Sequence, residues 1–291
     1  MRSGPFRTSA MVPRPADIDE SALVDRAAER SSIASTFRGL VRYRHLLLNL
    51  VLKDLKLKYR GSVFGFLWSL ANPLLMIVVY TVAFTYILGI RREGFVFYLM
   101  LGILSWTFFA NSLSMSTGSI ADNGGLVKSV FFPRAILPAS GVLFNLAQYL
   151  LTVLVFLPCM LIYYGIAPAA PMLLFPVFLT LQVAMTIGLA LVLATATAFF
   201  RDVKHLVEIG LAAMFWTTPI VYEISQIPAQ LRLPILLSPM SSFVSAYHDI
   251  FYARVWPGPQ TWLIAVGYAG AGLLLGLWLT VRHEERFSEL V

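Results

Sequence analysis

Residues Ala121 to Pro138, ADNGGLVKSVFFPRAILP, form a short polar island between two long charge-free blocks, and what flanks them decides the fold. On the left, Gly94 to Ala121 carries no charge; on the right, the charge-free run from Ala135 to Phe200 is more than twice as long. The island carries Asp122, Asn123, Lys128 and Arg134 around Leu126, Val127, Val130, Phe131 and Phe132, with Gly124 and Gly125 near its start and Pro133 near its end. It is too apolar for a free linker and too polar to span. It reads as a short, half-buried helix or turn docked at an interface. An ordinary interfacial loop is the plainer alternative.

The whole chain is built like its flanks. With 58% apolar and 13% charged residues and a mean hydropathy of +0.75, the 291 residues belong to the membrane class. The net charge of +7 is concentrated at one end, since 12 of the 22 Lys and Arg precede Ser62. That placement favours an anionic membrane surface over nucleic acid. Cys159, alone in an apolar run, reads as a small packing residue.

Residues 1–36 mix Arg, Ser, Ala, Pro and acids and are expected to be a mobile cytosolic tail; no apolar signal core precedes Leu46. Over 37–60 the pattern predicts an amphipathic helix lying on the membrane. Arg42, Asn49, Lys53, Lys56 and Arg60, at spacings of 7, 4, 3 and 4, share one face, and Leu40, Leu47, Val51 and Leu55 the other. Arg44 and Lys58 intrude on the apolar side and would have to reach outward along their stems. A soluble helix packed on a partner is the alternative.

A span takes about 20 apolar residues. The predicted fold is an all-α integral membrane protein with six transmembrane helices, near 64–88, 95–116, 136–162, 172–199, 205–222 and 262–281, together a domain over 61–283 with a short tail at 284–291. Pro73 is expected to kink the first. The fifth is the weakest, because only the short stretch Ile209 to Tyr222 lies free of charge between Glu208 and Glu223. The segment 224–260 is broken by Pro228, Pro234, Pro239, Pro257 and Pro259, which suits short re-entrant or surface helices or a folded extramembrane loop. With the N-terminus inside, 18 Lys and Arg face the cytosol and 4 face out, so both termini and the island (coupling region 121–135) are expected to be cytosolic.

The chemistry narrows the function. The four clearest spans and the sixth hold no ionisable group of the kind an ion-coupled transporter uses. There is no Gly-Lys pair, hence no phosphate-cradling P-loop, so any nucleotide motor must be another polypeptide. A membrane-embedded enzyme acting on lipid-linked sugars is the rival class, with Glu223, Arg232, His248, Asp249 and Arg254 outside and Arg201, Asp202, Lys204 and His205 inside as its candidates. No metal set is legible. Trp68, Tyr80, Phe84, Tyr86, Trp106, Phe108, Phe109, Phe215, Trp216 and Tyr222 offer aromatic faces that suit a sugar-passing channel, an interfacial belt or core packing.

Specific strings then carry a resemblance. KDLKLKYRGSVFGFLWSLANPLLMIVVYTVAF (Lys53 to Phe84), DNGGLVKSVFFPRAILPAS (Asp122 to Ser140), FFRDVKHLVEIGLAAMFWTTPIVYEISQIP (Phe199 to Pro228) and SPMSSFVSAYHDIFY (Ser238 to Tyr252) are similar to the ABC-2 type permeases that export polysaccharides: O-antigen, capsule, teichoic acid and galactan. Ser238, where Asn is usual, and His248, where Arg is usual, depart from the pattern. The resemblance implies a homodimer in the bacterial plasma (inner) membrane, docked on two separate ATP-binding cassette subunits that hold ATP and Mg, with no cofactor on this chain. Asp122, Asn123, Leu126, Lys128, Phe131, Phe132, Pro133 and Arg134, with Arg201, Asp202 and His205, would then couple to the ATPase. Phe131, Phe132 and Pro133 would be its hydrophobic key. Lys53, Lys56, Lys58 and Arg60 would meet lipid headgroups or the pyrophosphate of a polyprenyl-linked glycan. The channel would be lined by Trp68, Tyr80, Phe84, Trp106, Phe109, Phe215, Trp216 and Tyr222. An exporter of a drug or simple lipid shares the same architecture.

Overall fold

The computed structural model describes residues 38–287 except 40–41, 63, 66, 88, 90–92, 130–131 and 285. The tail 1–36, Phe131 and residues 288–291 lie outside the described residues. In chain order the helices are α1 (Arg44–Tyr59), α2 (Leu67–Thr81, widened into a π-turn over Val82–Ile87), α3 (Phe95–Thr117), α4 (Gly124–Ser129), α5 (Ile136–Tyr163), α6 (Phe175–Phe199, after a 3-10 turn over Ala170–Leu174), α7 (Val203–Thr217), α8 (Ala229–Leu236), α9 (Ser241–Tyr247, continued by a π-turn over His248–Ala253) and α10 (Pro259–His283). Among the described residues, five stretches are long and apolar enough to cross a membrane: Leu67–Ile87, Phe95–Thr117, Ile136–Tyr163, Ala170–Phe199 and Pro259–His283.

Helix α3 is the axis of the bundle. Its most apolar window is 78% buried within the chain, against 11% for α2. Lipid tails are as apolar as leucine, so helices associate there by close packing and hydrogen bonds rather than by hydrophobicity. α3 supplies both, through buried Ser105 and Ser116, which donate to Gln182 Oε1 at 3.3 Å and to the Pro138 carbonyl at 2.9 Å, and through Gly102, which admits Ile220 against its backbone. Gln182 of α6 donates to the Ser105 carbonyl at 3.1 Å, and the Tyr247 hydroxyl donates to Gln182 Oε1 at 2.7 Å, tying α9 to the middle of α6. Helices α6 and α10 touch through glycine. A methyl on Gly188 would run into the Gly272 backbone, and one on Gly276 into Gly188.

The region predicted as a fifth span has a different build. α7 is 15 residues long, about 22 Å at 1.5 Å per residue, short of a hydrocarbon core of about 30 Å. The chain continues as a non-helical stretch in which Thr218 and Ile220 are buried. Its backbone is satisfied inside the protein, as in Tyr98 Oη donating to the Tyr222 carbonyl at 2.9 Å. The segment that follows also folds inward, with Met240, Phe243, Val244, Tyr247 and Ile250 buried.

Cys159 is exposed on the surface of α5, not packed as the sequence suggested. A charge-free run does not reveal which side of a helix faces its neighbours.

Candidate functional site

The polar end of the bundle is built around the island. α3 stops at Gly118, whose missing side chain leaves room for the Asp122 carboxylate and the Lys204 ammonium. Asn123 Nδ2 donates to the Ser119 carbonyl at 2.8 Å, closing the turn. Lys204 Nζ donates to both Asp122 oxygens, at 2.8 and 2.9 Å, and so fastens the island to the first turn of α7. Lys128, Arg201, Asp202 and His205 are exposed, and His205 Nδ1 lies 3.9 Å from Glu208 Oε2. Lys204 is absent from the coupling set read off the sequence. Its pairing spans 82 positions, and only the matching charges of two loops on one side hinted at it.

Phe132 and Arg134 do not stand on that surface. Phe132 is 3% exposed and packs with Leu47, Ile120, Ile136, Leu137 and Phe287. The Arg134 guanidinium lies 5.2 Å from the Phe132 ring centre, and the Arg134 backbone N–H donates to Glu284 Oε1 at 3.2 Å. Burial lowers the Arg134 pKa, and Glu284 opposes that shift. These two residues therefore clamp the island to the end of α10. Pro133 is half-buried and approaches Gly39 closely enough that a methyl there would meet its ring.

α1 does not lie flat across its neighbour. Leu47, near its start, packs in the cluster of Ile136 and Leu137, while Lys58, near its end, donates to Gln148 Oε1 further along α5. Moving from Leu47 to Lys58 on α1 shifts the contact from Leu137 to Gln148 on α5, an equal advance along both chains. The two helices thus run side by side in the same direction. Lys58 stays exposed but leans its ammonium toward α5, where that amide and the Phe144 ring, 5.7 Å away, receive it; partial burial lowers its pKa. Tyr59 Oη and Ser69 Oγ are 2.6 Å apart, and Ser69 donates to the same Gln148 oxygen at 3.2 Å. Lys53, Lys56 and Arg60 are exposed, Lys53 lying 3.4 Å from Asp54.

Most of the predicted channel residues join into one aromatic wall across α2, α3 and α7. Tyr80 stacks on Phe215 at 5.7 Å and 22°, Phe215 meets Trp106 edge-on at 5.7 Å, and Trp106 leans on Phe109 at 5.8 Å. Phe84 stands 6.2 Å from Tyr80, Trp216 is edge-on to Phe215 at 5.3 Å, and Tyr222 Oη donates to the Trp216 carbonyl at 2.8 Å. Trp216 is 60% exposed, whereas Trp106 and Phe109 are buried and form the back of the wall. Trp68 stands apart, 58% exposed, edge-on to Phe64 at 6.0 Å.

Glu223, His248 and Asp249 of the enzyme candidates line one cavity, but they do not pair as a catalytic set. His248 Nε2 lies 3.0 Å from the Tyr98 carbonyl and its ring stacks on Tyr98 at 3.5 Å, so its partner is backbone rather than Asp249. Arg232 Nε donates to the Ile227 carbonyl at 2.9 Å. Among the described residues no three potential metal ligands gather.

Residues 45–252 match the ABC-2 type transporter family. The chain belongs to that family. It is a transport permease, not an enzyme. It is 34% identical over 259 residues to the O-antigen export system permease protein RfbA of Myxococcus xanthus, covering 87% of this chain and 98% of that protein. Two RfbA proteins of Klebsiella pneumoniae are similar to it at 33% and 32% identity, over 84% and 71% of this chain and 95% and 80% of theirs.

Proposed function

We propose that this permease is the membrane subunit of an ATP-driven exporter that moves a lipid-linked polysaccharide out of the cytosol. The observation that carries the reading is its end-to-end likeness to O-antigen export permeases, 98% of one relative being covered. It works as a homodimer in the bacterial plasma membrane, with both termini cytosolic and α7 with 218–222 serving as a sixth crossing. Two ATP-binding subunits hold ATP and Mg and dock on the exposed island residues Asp122 and Lys128, with half-buried Asn123 beside them, together with Arg201, Asp202 and His205. Lys53, Lys56 and Arg60 meet headgroups or the cargo pyrophosphate, and Lys58 holds α1 against α5.

The coupling path is short. A push on the island passes through Asp122 and Lys204 into α7, a rigid rod of about 22 Å. The rod ends at Phe215 and Trp216, in the aromatic wall. Such a wall offers π-faces to sugar rings without a fixed hydrogen-bond geometry, which suits passage better than capture. ATPase activity of the purified complex tests the cargo. Stimulation by polyprenyl-linked glycan and indifference to amphipathic drugs is the expected result; the reverse pattern makes it a drug or simple-lipid exporter.

A further inference from the structure

At the end of the bundle opposite the island, a cavity of about 460 Å³ opens between the start of α3, the 219–224 turn, α9 with its π-turn, and the start of α10. That is within the range of small-molecule sites, about 300–1,000 Å³. Its wall brings together Glu223, Asp249, Ser242, Thr261, Tyr98 and Tyr252. Two of these, Ser242 and Asp249, lack a side-chain partner among the described residues. Ser242 is 5% exposed and its Oγ has no hydrogen-bond partner among the described residues. The Asp249 carboxyl is half-buried, and no cation pairs with it among the described residues; burial pushes its pKa up to about 6. Leaving a buried polar group unmet is unfavourable, and Ser242 Oγ is left so at the wall of a cavity that the Asp249 carboxyl also lines.

A ligand that presents several hydroxyls together satisfies both. A carboxylate accepts from two adjacent O–H groups, a serine hydroxyl donates to or accepts from a third, and phenol rings cover an apolar ring face. A metal ion fits poorly, because among the described residues no third ligand joins the two carboxylates. We propose that this cavity is a binding site for a neutral saccharide of one or two pyranose units, separate from the aromatic wall. The site rests on the proposed function only in lying on the non-cytosolic side. The sugar comes either from the emerging cargo or from free saccharide in the outer compartment.

Titration of the detergent-purified full chain with galactose, mannose, rhamnose and lactose, read by intrinsic fluorescence, tests this. Saturable binding of at least one sugar is expected, weakened about tenfold or more by Asp249→Asn, which is equivalent to about 1.4 kcal/mol, and measurably by Thr261→Val at the half-buried rim. If cargo is the source, Asp249→Asn also slows export; if free sugar is the source, export is unchanged while binding falls. Absence of saturable binding by all four sugars overturns the proposal. So does binding left unchanged in both variants when each elutes as folded protein. Failure to recover an ATP-binding partner would count against the transport reading alone, since the titration probes the cavity without it.

Discussion

Helices α2 and α3 have nearly the same hydropathy, 1.8 and 1.5, yet their most apolar windows are 11% and 78% buried. The less apolar helix is the central one. α2 turns Leu75 and Val79 outward, 61% and 58% exposed, where lipid or a second copy covers them at no cost. α3 is held by serines and a glycine because in a bilayer only contact geometry and polar pairing distinguish a protein neighbour from a lipid one. Centrality in this bundle therefore follows small and polar residues rather than apolar content.

The sharpest way to break that contrast is to fill a glycine contact. Gly188→Val drives side-chain atoms into the Gly272 backbone, which no rotamer change relieves, and should abolish monodisperse protein in size-exclusion chromatography. Gly270→Val meets open space and should elute normally. Next, Phe109→Ala removes a side chain with 0% exposure and should cost about 3–5 kcal/mol, whereas Val79→Ala on α2 should stay within about 0.5 kcal/mol; thermal unfolding in detergent compares them. Gln182→Leu breaks the α3–α6–α9 tie and should cost about 0.6–1.7 kcal/mol.

A smaller effect sharpens the contrast at the end of the bundle opposite the island. The Asp249 carboxyl sits at about 6 instead of 3.8, so the folded chain holds that proton more tightly than the unfolded one. Its contribution favours the fold below about pH 4 and is lost as pH rises towards about 6. Asp249→Asn should flatten that part of the stability profile. Glu223, His248, Tyr98 and Tyr252, which share the cavity, remain in both proteins.

Much of this was legible in the sequence, for a physical reason. The five long helices follow from charge-free runs, and their ends fall where charge, Gly or Pro returns, as at Gly94 and Gly165. The family resemblance was carried by contiguous strings. What escaped were contacts between distant positions. Lys58 and Gln148 are 90 residues apart and Lys204 and Asp122 are 82, and neither periodicity nor composition reports a pair. For the same reason Phe132 and Arg134 read as surface groups, because mixed polarity shows that a segment sits at a boundary and not which side chains turn in. The Gly272–Gly276 spacing was the unused sign of the α6–α10 contact.

The central claim is that the exposed island drives a membrane subunit from a separate ATPase. Affinity purification of the tagged chain from native membranes in mild detergent, with mass spectrometry of the eluate and of a Lys128→Glu/Arg201→Glu variant, tests it directly. The account predicts equal amounts of an ATP-binding subunit with the wild-type chain and its loss from a variant that still inserts and elutes as folded protein. A wild-type chain that elutes without such a subunit, or a variant that retains it in full, would contradict the account.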